Sequence, residues 1–97
     1  MSAYVVAQIQ INDPEEYQHY LAGFMPVFKK HGGELLATPK NQTIVVERNW
    51  AYPNTVMMKF PSLAAAQAWC EDPDYKALAE YRNRSADSNL VIVEGIS

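Results

Sequence analysis

The strongest constraint on the fold is a helix-starting signal that the sequence contains twice. The segments NDPEEYQHY and EDPDYKALAEY each place an Asp-Pro pair ahead of acidic residues and a tyrosine. An aspartate at the N-cap accepts hydrogen bonds from free backbone N–H groups, and proline suits the first helical position. We therefore predict that Asp13 and Asp72 each cap a helix. Tyr17 follows its cap by four residues and Tyr75 by three, so the repeat does not describe two symmetric catalytic groups.

The first Asp-Pro pair is preceded by a strand pattern and followed by a helix pattern. Residues 3–11, AYVVAQIQI, alternate so that one face is fully apolar. After Asp13, apolar residues recur at three- and four-residue steps from Tyr17 to Phe28, which predicts an amphipathic helix. Pro26 lies in this pattern and cannot donate a backbone hydrogen bond, so we expect a kink or a separated last turn there. Gly32 suits the end of the helix.

The rest of the chain continues with alternating strand and helix patterns. Ser62 is placed to cap a second helix, LAAAQAWCE, and the second Asp-Pro pair predicts a third helix that runs to about Ser85. A polar turn around Lys40 separates the first two of the remaining strands. The predicted strands are GELLATP, TIVVERNW, TVMMKF and, from Leu90, LVIVEG.

This order of elements makes two successive strand-helix-strand halves. With right-handed crossovers, it predicts an α+β fold, a ferredoxin-like antiparallel sheet with its helices on one face. The length of 97 residues suits one domain, residues 1–97.

The sheet face turned away from the helices has a mixed composition. It is too apolar to be left wholly in water and too polar for a dry core. We therefore predict a two-fold homodimer in which two such faces meet around a semi-polar cavity. The residues of this face are Tyr4, Val6, Gln8, Gln10, Met57 and Lys59.

Charge and composition argue against several classes of partner. The net charge is −3, and the eight Lys and Arg residues are scattered, so we expect no nucleic-acid binding. No apolar run approaches the roughly 18 residues that a membrane-spanning helix needs, so no membrane association is expected. One cysteine and the absence of a signal-peptide pattern predict a cytoplasmic location.

Few residues form patterns with specific chemistry. Glu16 and His19 have the Glu-x-x-His spacing of carboxylate-bridged metal sites, but no second such pair exists, so no metal and no cofactor are expected. Glu47 and Trp50 could hydrogen-bond and stack against a small ligand, although a surface ion pair beside an edge tryptophan is the simpler interpretation. Arg82 could bind an anionic group through two N–H groups, or it could pair with Glu47 or Glu94 and hold its helix on the sheet, which is the favoured interpretation.

The segments DPEEYQHY, HGGELL, VVERNW, VMMKFPSLAAAQAW, DPDYKALAEYR and LVIVEG together resemble the domain of unknown function 1330 family, of the dimeric α+β barrel superfamily. The resemblance covers Tyr4 to Gly95. It implies a ferredoxin-like fold and a homodimer whose sheets face each other around a cavity, and it implies no established activity. The superfamily includes cofactor-free monooxygenases, muconolactone-isomerase-like enzymes and haem-using relatives. Arg48 departs from the family pattern, which has glycine there, and this weakens any expectation that the backbone approaches a ligand at that point.

Three functional hypotheses follow. The first is a homodimer that binds a small organic metabolite between sheet and helices. In the second, a cofactor-independent monooxygenase or isomerase, Glu47 or Tyr17 would transfer a proton and Arg82 would stabilise developing negative charge. The third is a structural or partner-binding dimer without a ligand. The candidate ligand-binding residues are Gln8, Gln10, Tyr17, Glu47, Trp50 and Arg82.

Overall fold

The protein is described from a computed structural model in which residues 1–96 are placed. Its four strands form one antiparallel sheet in the order β2-β3-β1-β4, and the helices cover one face of it. This is the ferredoxin-like order, so the predicted α+β fold is confirmed. The elements are β1 (Ala3–Ile11), α1 (Pro14–Lys30), β2 (Glu34–Ala37), β3 (Asn54–Phe60), α2 (Leu63–Glu71), α3 (Pro73–Ser85) and β4 (Ala86–Glu94).

The central strand β1 matches the predicted residues 3–11 at both ends. Its odd-numbered residues from Ala3 to Ile9 are buried under the helices, as the alternation requires. Val5 stands between Met58 of β3 and Ile92 of β4 in the register of the sheet. The other face of β1 is turned away from the core and is partly exposed.

The helix α1 begins and ends at the predicted signals. The Asp13 Oδ1 atom accepts a hydrogen bond from the Glu16 backbone N–H at 3.2 Å, which confirms the cap. At the other end Gly32 adopts φ 80°, a left-handed conformation that glycine adopts without steric cost. The prediction that Pro26 separates the last turn is wrong, since α1 is continuous to Lys30. Pro26 lies on the exposed side of α1, where water can hydrogen-bond the carbonyl that the proline leaves free.

Helices α2 and α3 meet at a single residue, Asp72. This residue ends α2, and its Oδ1 atom caps α3 by accepting from the Asp74 backbone N–H at 2.8 Å. Ser62 caps α2 in the same way, accepting from the Ala65 backbone N–H at 3.0 Å. All three predicted caps therefore form. None of the helices within residues 1–96 has an apolar stretch long enough to cross a membrane.

Strand β4 begins directly after α3, at Ala86, rather than at Leu90 as predicted. Residues 86–89 are Ala-Asp-Ser-Asn, which strands use rarely. They nevertheless pair with β1 from Ile11 to Gln8, because β1 extends past the apolar part of β4 and offers its backbone groups there. Backbone pairing overrides side-chain propensity at this end of the strand.

The predicted strand TIVVERNW is wrong, because residues 43–50 follow an irregular path between β2 and β3. Ile44 and Val46 expose 72% and 88% of their surface, so no buried face supports a strand. The segment contacts β3 through a side chain, since Thr43 Oγ1 donates to Thr55 Oγ1 at 2.8 Å, but residues 43–50 take part in none of the strand pairings of the sheet. Strand propensity is realised only against a neighbouring strand, and this segment has none within the protomer. Arg48 has φ 58°.

Candidate functional site

A cavity of about 110 Å³ lies between the core face of the sheet, α1 and the C-terminal half of α3. We call it the Arg82 cavity. Its polar lining includes Tyr17, Tyr20, Thr38, Ser88 and Arg82, and neither a carboxylate nor an imidazole from the described chain lines it. Most of the wall is apolar and includes Ala7, Ile9, Leu21, Phe24, Met58 and Leu90.

The Arg82 guanidinium is held against two tyrosine rings. Its Nη1 atom donates to the Tyr75 hydroxyl, and its carbon lies 5.7 Å from the centre of the Tyr20 ring and 5.9 Å from that of Tyr75. The Nε atom is buried without a hydrogen-bond partner. Within residues 1–96, no carboxylate lies within ion-pair distance of Arg82, so the predicted structural pair with Glu47 or Glu94 is wrong. A partly buried positive charge therefore lies beside an apolar cavity with hydroxyl and ring contacts but without an acidic partner.

Three buried tyrosines surround this charge. The hydroxyls of Tyr20 and Tyr75 are 2.9 Å apart, and the ring of Tyr17 lies 5.5 Å from that of Tyr20. Burial raises the pKa of Tyr17 and of Tyr75, and the nearby Arg82 charge offsets part of this effect. The pKa of Tyr20 is raised strongly, first by burial and then by Tyr75. At neutral pH these groups are therefore neutral hydroxyls, which can donate or accept hydrogen bonds.

The Arg82 cavity opens towards an outer groove of about 320 Å³ between α1 and the turn after β2. The walls of the two spaces share Tyr17, Leu21, Thr38 and Pro39, so the spaces adjoin each other, and we call the two together the passage. Lys40 lines the outer groove and not the Arg82 cavity.

The structure brings together two of the six predicted ligand-binding residues, Tyr17 and Arg82. Gln8 and Gln10 lie on the opposite face of the sheet, where Gln8 Oε1 accepts from Asn89 Nδ2 at 3.2 Å. Glu47 and Trp50 lie in the irregular segment 43–50 and are exposed, Trp50 by 41%. Neither lines the Arg82 cavity.

Sequence reasoning missed Tyr75 as a partner of Arg82. The two residues are seven apart on α3, which is two helical turns, so both side chains lie on one face of that helix. This spacing is the signal that would have identified the pair. Tyr20 was assigned only to the core, and its hydroxyl contact with Tyr75 depends on the packing of α1 against α3.

The remaining charged residues have structural contacts. Asp72 Oδ2 lies 2.7 Å from His31 Nε2 and 2.9 Å from Lys30 Nζ, joining the end of α1 to the start of α3. Hydrogen bonds from His31, then Lys30 and the Asp74 N–H, hold the pKa of Asp72 well below its usual value.

The predicted Glu-x-x-His pair is divided between two surface contacts. Glu16 pairs with Arg84 at 3.0 Å, and His19 packs on the Tyr81 ring at 5.2 Å between centroids. In the described residues, no group of three or more histidine, cysteine or acidic side chains is placed to hold a metal ion.

The fold and the cavity define an α+β ferredoxin-like domain with a cavity between its sheet and its helices. The chain belongs to the family described as Domain of unknown function (DUF1330), whose sequence profile matches residues 2–96. No curated protein matches the sequence.

Several solved structures have the same fold. A protein of unknown function from Rhodopseudomonas palustris superposes with a TM-score of 0.74 at 19% identity, over 99% of this chain and 83% of that chain. A dimeric ferredoxin-like protein of unknown function from Jannaschia sp. CCS1 gives a TM-score of 0.71 at 12% identity, over 98% and 100% of the two chains. SnoaB, a cofactor-independent oxygenase from Streptomyces nogalater, superposes with a TM-score of 0.64 at 14% identity, over 99% of this chain and 94% of that chain. At these identities the likeness concerns the fold.

Proposed function

We propose that the protein is a homodimer in which each protomer binds a small organic molecule in the Arg82 cavity. The observation that carries this proposal is the largely desolvated Arg82 guanidinium, which has no acidic partner in residues 1–96 and faces an apolar space. Apolar walls with a few convergent polar groups are typical of small-molecule sites. Tyr17 and Arg82 are the proposed ligand-binding side chains inside the cavity.

The dimer rests on the sheet face opposite the helices. Val91 and Val93 of β4 expose 54% and 50% of their surface there, and Val6 of β1 lies between Val91 and Met57 of β3 in the register. A contiguous apolar area of this kind is stabilised when a second copy covers it. The Jannaschia protein with the same fold is dimeric, which agrees with this arrangement. In such a dimer Gln8 and Gln10 would lie between the two sheets.

A cofactor-independent monooxygenase or isomerase is the second candidate function. The fold of SnoaB favours it, and Arg82 is placed to stabilise an anion formed in the cavity. A general base is harder to identify, since burial raises the pKa of Tyr17 and Glu47 is exposed outside the cavity. Binding therefore agrees better with the side chains that line the cavity than proton abstraction does. A structural or partner-binding dimer without a ligand is the third proposal, and a cytoplasmic location remains a prediction.

Ligand binding is tested by a thermal-shift screen of a metabolite library that includes acidic, neutral and basic members. A molecule that binds only the folded chain raises its melting temperature, by an amount that grows with concentration. We expect stabilisation by some members and no such stabilisation of the Arg82→Met variant. A screen in which no member stabilises the wild-type chain would leave the structural dimer as the surviving function.

The dimer is tested by light scattering coupled to size-exclusion chromatography. Val91→Glu places a charge on the proposed interface and is expected to give monomers at micromolar concentration. The matched control, Ala68→Glu, adds the same charge on an exposed position of α2 and is expected to leave the dimer intact. A monomeric wild-type protein would refute the dimer without affecting the cavity.

A further inference from the structure

We propose that the ligand is a monocarboxylate with an unbranched apolar chain, whose carboxylate contacts Arg82 and whose apolar chain extends towards the outer groove. This inference rests on the proposed ligand binding in the Arg82 cavity and specifies the chemistry of the ligand. Three observations determine it: the charge at the inner end, the volume of the cavity and the composition of the passage.

The charge requires an anion. A guanidinium has five N–H donors, and within residues 1–96 Arg82 uses one of them, on Nη1, for the Tyr75 hydroxyl, so donors on the two Nη atoms remain for a ligand, whereas Nε is buried out of its reach. A guanidinium binds carboxylates through two parallel N–H groups, and such charge-assisted hydrogen bonds are about twice as strong as neutral ones. Tyr17 supplies a neutral hydroxyl in the same cavity.

The charge also limits the ligand to one anionic group at the inner end. The described chain places no other cation among the residues that line the Arg82 cavity. Lys40 lines the outer groove and is exposed, and ion pairs at exposed positions contribute little. A second carboxylate would therefore be desolvated in the passage without an equivalent partner.

The volume limits the size of the inner part. A dry cavity of about 150 Å³ binds benzene, and the Arg82 cavity, at about 110 Å³, is smaller. A fused ring system does not fit beside Arg82 in this structure. A carboxylate with a few carbon atoms fits, and the remaining atoms must pass between Leu21 and Pro39 into the outer groove.

The passage accepts an apolar chain. Leu21 lines both spaces, together with the methyl-bearing Thr38 and the ring of Pro39. Each methylene buried along this wall should raise affinity about fourfold, until the chain reaches water beyond Lys40. The ligand is thus recognised by charge at one end and by length along the passage.

The test is calorimetric titration of the wild-type chain, at neutral pH, with straight-chain monocarboxylates from butanoate to decanoate. We expect affinity to rise by about fourfold per methylene and then to level off. Each chain length is compared with its primary amide and its dicarboxylate. A tricyclic aromatic carboxylate is titrated as a further comparison ligand. Each is expected to bind at least tenfold more weakly than the matching monocarboxylate.

The variants separate a specific site from nonspecific hydrophobic binding. Arg82→Met keeps a long apolar side chain without the charge and is expected to reduce the affinity for carboxylates at least tenfold, to that of the amides. The control Arg84→Met removes an arginine from the same helix that is paired with Glu16 on the surface, and it is expected to bind as the wild type does. Leu21→Trp narrows the passage and should weaken octanoate more than butanoate. If Arg82→Met does not fold, the amide comparison on the wild-type chain still tests the charge.

The outcomes distinguish this inference from the proposed function. Equal affinity for carboxylates and amides, or tighter binding of the tricyclic acid, would overturn the ligand class and leave the cavity as a binding site. A thermal-shift screen in which only neutral library members stabilise the protein would also overturn the ligand class and leave the cavity as a binding site. Binding that is lost equally in Arg84→Met and Arg82→Met would show a surface charge effect and would also overturn the inference.

Discussion

The buried tyrosine pair beside Arg82 predicts how the stability of the protein depends on alkaline pH. Tyr20 and Tyr75 are 6% and 4% exposed, and burial raises the pKa of both hydroxyls above the ordinary value of 10.0. In the unfolded chain both ionise near that ordinary value, whereas in the folded chain they remain protonated. Above pH 10 the unfolded state therefore binds fewer protons than the native state, and the free energy of unfolding falls as pH rises.

The magnitude follows from proton counting. Each group that ionises only on unfolding lowers the free energy of unfolding by about 1.4 kcal/mol per pH unit, so Tyr20 and Tyr75 together contribute about 2.7 kcal/mol per pH unit. This slope applies above the pKa of the unfolded tyrosines and below those of the folded ones. A small domain has only about 5–15 kcal/mol of stability, so the loss is large enough to measure within one pH unit.

The assay is urea-induced unfolding followed by far-ultraviolet circular dichroism between about pH 10.5 and about pH 11.5. Tyr20→Phe should reduce the slope by about 1.4 kcal/mol per pH unit, the contribution of one tyrosine, and Tyr75 still accepts the Arg82 hydrogen bond in that variant. Three other groups also have raised pKa values and act in the same direction: Tyr17 and Cys70 through burial, and Lys30 through its contact with Asp72. These groups contribute equally to the pH dependence of wild type and Tyr20→Phe, so the difference between the two slopes gives the contribution of Tyr20.

The control variant Tyr52→Phe removes a hydroxyl that makes no hydrogen bond with the Tyr20–Tyr75 pair, and it should keep the wild-type slope. Equal slopes for wild type and Tyr20→Phe would refute the reasoning. Tyrosinate absorbance that appears for Tyr20 while the circular dichroism remains native would refute it as well, because it would show ionisation in the folded chain.

Two further predictions concern the helix caps. Asp13→Ala should lower the free energy of unfolding by about 1 kcal/mol through the lost cap, measured by urea unfolding, while ligand-induced stabilisation is unchanged; loss of ligand response at unchanged stability would contradict this structural role. Asp72→Asn should lower the free energy of unfolding at neutral pH. The folded chain holds the pKa of Asp72 below its ordinary value of 3.8, so the ionised carboxylate stabilises the fold at pH values above 3.8. The difference from wild type should shrink as pH falls below 3.8, and a difference that stays constant down to acid unfolding would show that the carboxylate charge is not responsible.

The parts of the fold that local chemistry determines could be predicted from the sequence. The caps at Asp13, Ser62 and Asp72 depend on a side chain and backbone groups within three residues, so their signals are complete in a short window. The alternation of β1 is similarly local. The strand predictions were wrong at residues 43–50, which are irregular, and at residues 86–89, which belong to β4. Both errors have one cause, because a segment forms a strand only where a neighbouring strand offers it free backbone groups.

The candidate site was harder to predict because its members meet through tertiary packing. Tyr17 and Arg82 are 65 positions apart and approach because α1 and α3 lie side by side on the sheet. Gln8 and Gln10 have the residue types of a polar site, but the alternation of β1 directs them to the other face. Glu47 has suitable chemistry for catalysis, and only the path of an irregular segment determines that it is exposed.

The two ends of the helical layer are packed in different ways, and this difference supports a binding function. At one end Phe28, Phe60 and Trp69 are almost completely buried, with ring centroids 5.2 to 5.9 Å apart. At the other end, Tyr17 and Arg82 surround open space. A chain selected for stability alone would fill that space with apolar side chains, since a cavity and a partly buried charge without an acidic partner both lower stability. The coincidence of the two at one position is what a site for a small anion requires, because the ligand supplies the missing charge and the missing volume together.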